Sequence, residues 1–418
     1  MAMFIRYAQE IITPTLHRKT YLAGLDHNRV AQYIHDDLYA RLLVFDAQGN
    51  TDIVENQSFP ARIGLVSLDL IGLFRHHCQE IEQRVNLRFP GTRLIICCTH
   101  THHGPDTMGL WGRHQLSSGV DRTYLADLKS KIVEMICGAL SGPADPIAAL
   151  RLATVEVAGV AKNARNPEIL DQELTCLQFL LEHNNNLQPG ATLIVFPCHP
   201  EVLWFGNPCI TSDYPGFLRR SIELQTGMPC IFFSGSLGGM MTPDVRVHSF
   251  AEAEQMGNIL AQAALQSLAH SGTDYRMDAM PSPFITCQQK QFTIPLTNPL
   301  FSFGMLIGLL PDLTDRRHQI TTEANLLRIG PAWLVTAPGE VLPALGLQIK
   351  NELHKAGARV AAVIVLANDE IGYILPKEDF LFPRNPFRPG AHYEETNSIG
   401  PEAGPNLLSA VRALISTQ

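Results

Sequence analysis

Leu94-Ile95-Ile96-Cys97-Cys98-Thr99-His100-Thr101-His102-His103-Gly104-Pro105 reads as a buried strand that runs straight into a cluster of imidazoles. An unbroken apolar run, rather than an alternating one, is what a strand covered on both faces requires, as in a sheet between layers of helices. Continued through the cluster, the strand period of two puts His100 and His102 on one face and Thr101 and His103 on the other, so the H-x-H pair is spaced to chelate a metal. Gly104-Pro105 then turns the backbone away and leaves the rings at an open lip. A pair of hydrogen-bonded structural histidines fits the same spacing, and the rest of the chain decides between the two readings.

The pattern of an apolar run closing on a polar cluster recurs. Residues 193–196 lead into His199, residues 231–233 into Ser234-Gly235, residues 333–335 into Ala337-Pro338-Gly339-Glu340, and residues 360–366 into Asn368-Asp369-Glu370-Ile371-Gly372-Tyr373. Between them, stretches 124–140, 251–269 and 342–356 carry apolar residues at helical spacing. The alternation predicts an α/β fold with a mixed or mostly parallel central sheet covered by helices, and ligands in such folds collect at the carboxyl ends of strands. The turn-forming segments 271–273, 281–283 and 383–390 are too short to be linkers, and no internal repeat is present, so residues 1–418 read as a single domain. The apolar run 300–310 reads first as a core helix, with a lid or an acyl pocket as the alternatives.

Composition narrows the function classes. With 418 residues, 45% of them hydrophobic, the chain can bury a large core. A formal charge of -8, without a dense basic run, opposes a phosphate-backbone track, so no nucleic-acid partner is expected. The start, Met1-Ala2-Met3-Phe4-Ile5-Arg6, lacks a basic segment followed by a secretory apolar core, and no run reaches membrane-spanning length; a cytoplasmic protein without a transmembrane segment is expected. Nine cysteines, none in a C-x-x-C pair, read as reduced thiols. Ser234-Gly235-Ser236-Leu237-Gly238-Gly239 matches neither a phosphate loop nor a serine elbow.

Set side by side, the clusters resemble one family. Thr99-His100-Thr101-His102 with Gly104-Pro105, Asn163-Ala164-Arg165-Asn166-Pro167, the strand-ending His199, Ser212-Asp213-Tyr214-Pro215-Gly216, Pro338-Gly339-Glu340 and two tyrosine motifs occur in the order seen in the neutral/alkaline, non-lysosomal ceramidases. Ile12-Thr13-Pro14, Tyr21-Leu22-Ala23-Gly24, Ile34-His35, Leu38-Tyr39-Ala40-Arg41 and Val66-Ser67-Leu68-Asp69 extend the resemblance over nearly the whole chain.

The resemblance implies a zinc ion held by His100, His199, Glu340 and Tyr373, a donor set zinc favours in catalytic sites. It implies His102 as general base, with orientation of the ligands as its alternative role. Tyr393 would hydrogen-bond the developing oxyanion, Arg165 would hold an oxygen anion nearby, and Thr242, where the family has a serine, would contact substrate. Asp213 reads equally as a support of the site and as a turn former. Departures fall at His103, at Met240, where the family has an aspartate, and in the wider spacing of the tyrosine motifs. Together with the absence of room for the immunoglobulin-like C-terminal domain of longer ceramidases, they imply retained metal chemistry and a substrate other than long-chain ceramide. The expectation is hydrolysis of a small-molecule linear amide by water activated on zinc. An ester or lactone is the alternative bond, and a noncatalytic metal-binding or small-ligand-binding protein the alternative class.

Overall fold

The run 94–98 lies in the strand Thr92–Cys98, which pairs parallel with Arg62–Leu68 at one edge of a nine-stranded sheet. From the far edge the order is Cys230–Ser234, Asn186–Phe196, Glu173–His183, Asp145–Glu156, Met3–Ile11, Tyr39–Ala47, Arg62–Leu68 and Thr92–Cys98, with Asp274–Arg276 attached to Asp145–Glu156. The sheet is mixed. Parallel pairing is confined to its two ends, and the long ladders between are antiparallel. This architecture is that of a computed structural model, which describes residues 3–47, 60–280, 284–380 and 393–416.

A second sheet, in the order Ile285–Pro295, Gln319–Ile329, Ala332–Thr336, Val360–Ile364, packs face to face against the first. Phe45, Phe179, Leu193, Leu334 and Ala362 meet in the shared core, and burial between two sheets is why these strands carry apolar residues without interruption. Helices Arg75–Asn86, Arg122–Ser141, Tyr214–Thr226 and Phe250–His270 cover the large sheet, and Pro343–Lys355 and Ala403–Ser416 cover the small one. The helical stretches read from the sequence fall in three of these, each with a local start signal: Asp121 accepts from the Thr123 and Tyr124 N–H groups, Ser249 accepts from Glu252, and Pro343 stands in a first turn.

Side-chain bonds gather the strand ends at one place. Ser234 Oγ donates to the Thr99 carbonyl at 2.7 Å. Asn368 exchanges backbone and side-chain hydrogen bonds with Ile96, each 2.7 Å long, so its amide acts as a strand neighbour just before the histidine cluster. Asp69 and Arg219, both almost fully buried, form a two-pronged ion pair at 2.8 and 2.7 Å, and Asp69 also accepts from the Tyr39 N–H and the Thr99 hydroxyl. A buried charge pair is tolerable when its hydrogen bonds are complete, and here they fix the residue before His100.

Two expectations need correction. The strand ends at Cys98, so alternation does not govern the histidines. The run 300–310 is no core helix: it forms the surface helix Pro299–Leu306, with Leu300, Phe303 and Leu306 59%, 49% and 83% exposed, because only part of its surface meets the body of the protein. Segments 281–283 and 383–390 lie outside the described residues. The nine cysteines are free thiols, all but Cys209 buried. Among the described residues, no helix is long and apolar enough to cross a membrane.

Candidate metal centre

His100 follows the strand in a loop, at a φ of 70° that non-glycine residues rarely adopt. Its N–H donates to the Leu70 carbonyl at 2.9 Å, locking the turn. This turn, rather than strand alternation, aims the ring inward. His100, His102 and His199 then converge, with ring centroids 5.0, 5.1 and 5.6 Å apart, and one ligand atom from each lies within 4.8 Å of the others. The three buried rings could hold a metal ion.

Hydrogen bonds select the atoms presented. His100 Nδ1 lies 2.6 Å from the Ile71 carbonyl and His199 Nδ1 2.9 Å from the Met241 carbonyl. A carbonyl only accepts, so each Nδ1 carries a proton and each Nε2 is left to face inward. His199 Nε2 is 3.0 Å and His100 Nε2 3.5 Å from Oε2 of the buried Glu340. Lone pairs and a carboxylate converge so closely only around a proton or a cation. Burial alone would lower the pKa of His199 and raise that of Glu340; their contact overrides it, holding His199 up and, with His100, Glu340 down. These nitrogen and carboxylate donors suit zinc.

Glu340 and Tyr373 are register partners in the short parallel pair Glu340–Val341 and Tyr373–Ile374, which brings the phenol beside the carboxylate. The Tyr373 ring packs edge-on against Tyr393 at 5.8 Å. Tyr393 is 49% exposed; the burial of its remaining surface, then the Glu340 charge, pushes its pKa up to about 12, so its hydroxyl keeps its proton at neutral pH. Tyr393 opens the helix Tyr393–Thr396, whose next two residues, Glu394 and Glu395, both pair with Arg165; that guanidinium also donates to the Asp379 carbonyl at 3.1 Å. Arg165 thus clamps the tyrosine's helix. Thr242, in the strand Met241–Pro243, lies against Glu201, whose carboxyl burial holds above the usual carboxylate range despite the opposing pulls of His199 and the Thr242 hydroxyl. Asp213 caps helix Tyr214–Thr226 and accepts from the Tyr214 N–H at 2.7 Å, as a turn former does, and it also accepts from the Leu203 N–H at 3.4 Å in the loop after His199 and Glu201, as a support of the site does.

The sequence reading missed Glu201 and Glu370. Glu201 Oε2 stands 3.3 Å from His102 Nδ1, and both are buried. Neither ring nitrogen of His102 has a hydrogen-bond partner. Burial, then the charges of His100 and His199, pushes its pKa well down, so the ring is neutral. Gly24 packs against it: a Cβ there would lie 2.6 Å from Cγ and Nδ1. The available signal for Glu201 was an acid two residues after a strand-ending histidine, inside an otherwise apolar stretch.

A cavity of about 100 Å³ opens beside His100, His102, Glu340, Tyr373 and Tyr393. Its apolar wall includes Ile71, Phe74, Met108, Trp111, Phe301 and Leu310, so the run 300–310 contributes to the cavity from both ends. The loop bearing Met108 and Trp111 is shaped by Asp106, whose carboxylate accepts from four backbone N–H groups. Glu370 lines the same cavity. Neither His103 nor Met240 does; His103 Nε2 is bonded to the Trp204 carbonyl at 3.0 Å.

No protein-family model and no curated protein sequence matches the chain. Solved structures do. The neutral ceramidase from Pseudomonas aeruginosa superposes with a TM-score of 0.74 at 16% identity, over 100% of this chain and 74% of that one. A ceramidase complexed with C2 gives 0.75 at 16% identity, over 99% and 75%. At that identity the likeness establishes the fold, and the chain folds as the neutral ceramidases do.

Proposed function

We propose that the protein is a zinc-dependent hydrolase of linear N-acyl amides. The observation that carries the reading is the convergence of two histidine Nε2 atoms on the buried Glu340 beside a small, largely apolar cavity. His100, His199, Glu340 and Tyr373 would hold the ion, which when bound lowers the pKa of water and polarises a carbonyl.

The remaining steps belong to side chains. His102, neutral and open at both nitrogens, takes the proton of the attacking water and returns it to the departing amine. Gly24, packed against the ring, holds that imidazole in place, with Glu201 Oε2 standing 3.3 Å from Nδ1. Tyr393 donates its hydroxyl to the oxygen on which charge develops, and Arg165 keeps the tyrosine there through Glu394 and Glu395. The walls at Phe74, Trp111, Phe301 and Leu310 take the acyl group. A cavity of about 100 Å³ is well below the roughly 300–1,000 Å³ of drug-sized sites, which favours a short acyl chain over long-chain ceramide.

A panel of N-acyl amines, N-acyl amino acids, esters, lactones and a ceramide in detergent tests this with the zinc-loaded protein. Turnover of a short N-acyl amine, abolished by chelation and restored by zinc, is the expected result. Turnover of lactones or esters alone would overturn the bond class, and no turnover of any member would overturn the enzyme.

A further inference from the structure

Of the buried carboxylates at this site, Glu340 and Glu201 face histidines and Glu370 does not. Glu370 is 4% exposed; Oε1 accepts the Gly372 N–H at 2.9 Å, while Oε2 is buried with no hydrogen-bond partner. An unsatisfied carboxyl oxygen in a buried site is costly and calls for a partner, whether water, an ion or a ligand group.

The position is built. Asp369 Oδ1 accepts from the backbone N–H groups of Arg75 and Glu370, its Oδ2 accepts the Thr322 hydroxyl, and Asn368 ties the loop to Ile96. Gly72 leaves the slot for the side-chain stem: a Cβ there would stand 3.0 Å from Glu370 Cγ. Among the described residues lining the cavity, none is Lys or Arg. The nearby cations are committed elsewhere, Arg165 to Glu394 and Glu395, Arg75 to Glu323, and Arg29 to the Ala23 and His102 carbonyls.

We propose that Glu370 is a specificity-determining residue that takes an ammonium group carried by the amine half of the substrate, so that the substrate class is an N-acyl diamine or polyamine. The inference rests on the hydrolase reading, and it goes further by choosing among amides. The apolar wall suits the acyl half, which leaves the cation to the amine half. An ammonium gives Oε2 the donor it lacks, and its charge opposes the burial and the Glu340 charge that together hold the Glu370 carboxyl well above the usual carboxylate range. An N-acyl amino acid would set its carboxylate against Glu370 with no described cation to receive it. Sites built around a hydrogen bond reject analogues that lack the group, because the buried partner is then left unpaired.

Three probes with one acyl chain decide the matter on the zinc-loaded protein: N-hexanoyl-1,4-diaminobutane, N-hexanoyl-butylamine and N-hexanoyl-4-aminobutyrate. The expected kcat/KM ratio of the cationic to the neutral probe is at least about tenfold in the wild type, with the anionic probe slowest, and it collapses toward unity in Glu370→Gln and Glu370→Leu. The ratio is the readout, so a change in absolute rate does not mimic the result. No cation preference in the wild type overturns the proposal even if both variants fail to fold, and a preference that survives in either variant overturns it as well. Calorimetric titration with 1,4-diaminobutane separates this failure from that of the hydrolase reading. Binding that is lost in Glu370→Leu, in a protein that cleaves no amide, keeps the ammonium site and removes the amidase; no binding in that protein removes both.

Discussion

A methyl group on Gly24 would stand 2.6 Å from Cγ and Nδ1 of His102 and 3.1 Å from its Cβ. To restore ordinary contact near 3.4 Å, the ring has to recede by about 0.8 Å. Gly24 also sits at a φ of 69°, where an L-residue loses about 1–2 kcal/mol. Gly24→Ala is therefore expected to lower stability by about that amount. Its larger effect falls on rate: misplacing a reacting group by about 1 Å costs on the order of 10²-fold. Zinc content should stay near wild type, because the three atoms nearest such a methyl group all belong to His102. Steady-state kinetics on the best amide, urea melts and elemental analysis of one preparation read all three quantities. Turnover within about threefold of wild type would refute the view that shape holds the base in place. Loss of zinc together with rate would instead make His102 a ligand.

Arg219→Ala leaves the fully buried Asp69 without its two-pronged partner and should cost about 3–5 kcal/mol in urea melts; a loss under about 1 kcal/mol would contradict the role given to this pair. Arg165→Ala frees Glu394 and Glu395 and lets the Tyr393 helix drift, so kcat should fall at least about tenfold with zinc content unchanged, and an unchanged kcat would count against the clamp. Burial holds the Asp213 carboxyl up at about 7, against about 3.9 in the unfolded chain, so this group's contribution to stability is complete below about pH 4 and is lost as pH rises toward 7. Asp213→Asn should flatten that decline, and urea midpoints that fall as steeply as in the wild type between pH 4.5 and 7.5 would show that Asp213 does not titrate there.

The sheet was legible where a strand is buried on both faces, because residues 94–98, 193–196, 231–233, 333–335 and 360–364 are apolar without a break. Periodicity could not show that the large sheet is mainly antiparallel, since pairing direction depends on which distant strands meet. His100 and His199 were legible as strand-end histidines, yet the argument from alternation was the wrong one: a left-handed residue after Cys98 aims the ring. Glu201 and Glu370 stayed hidden because an acid near a strand end does not by itself show which group it will face. Their meaning comes from His102 and Gly72, each brought close only by the fold. The run 300–310 misled for a related reason, since apolarity alone does not tell a core helix from one flanking a cavity.

Zinc stoichiometry by elemental analysis, on protein stripped and reloaded with zinc, tests the central claim most directly when wild type, His100→Ala and His102→Ala are compared. The account predicts about one zinc per chain in the wild type and in His102→Ala, and none in His100→Ala, because the Nε2 atoms of His100 and His199 converge on Glu340 while His102 faces Glu201. A wild type that holds no stoichiometric metal after reloading, or equal zinc loss in the two variants, would contradict it.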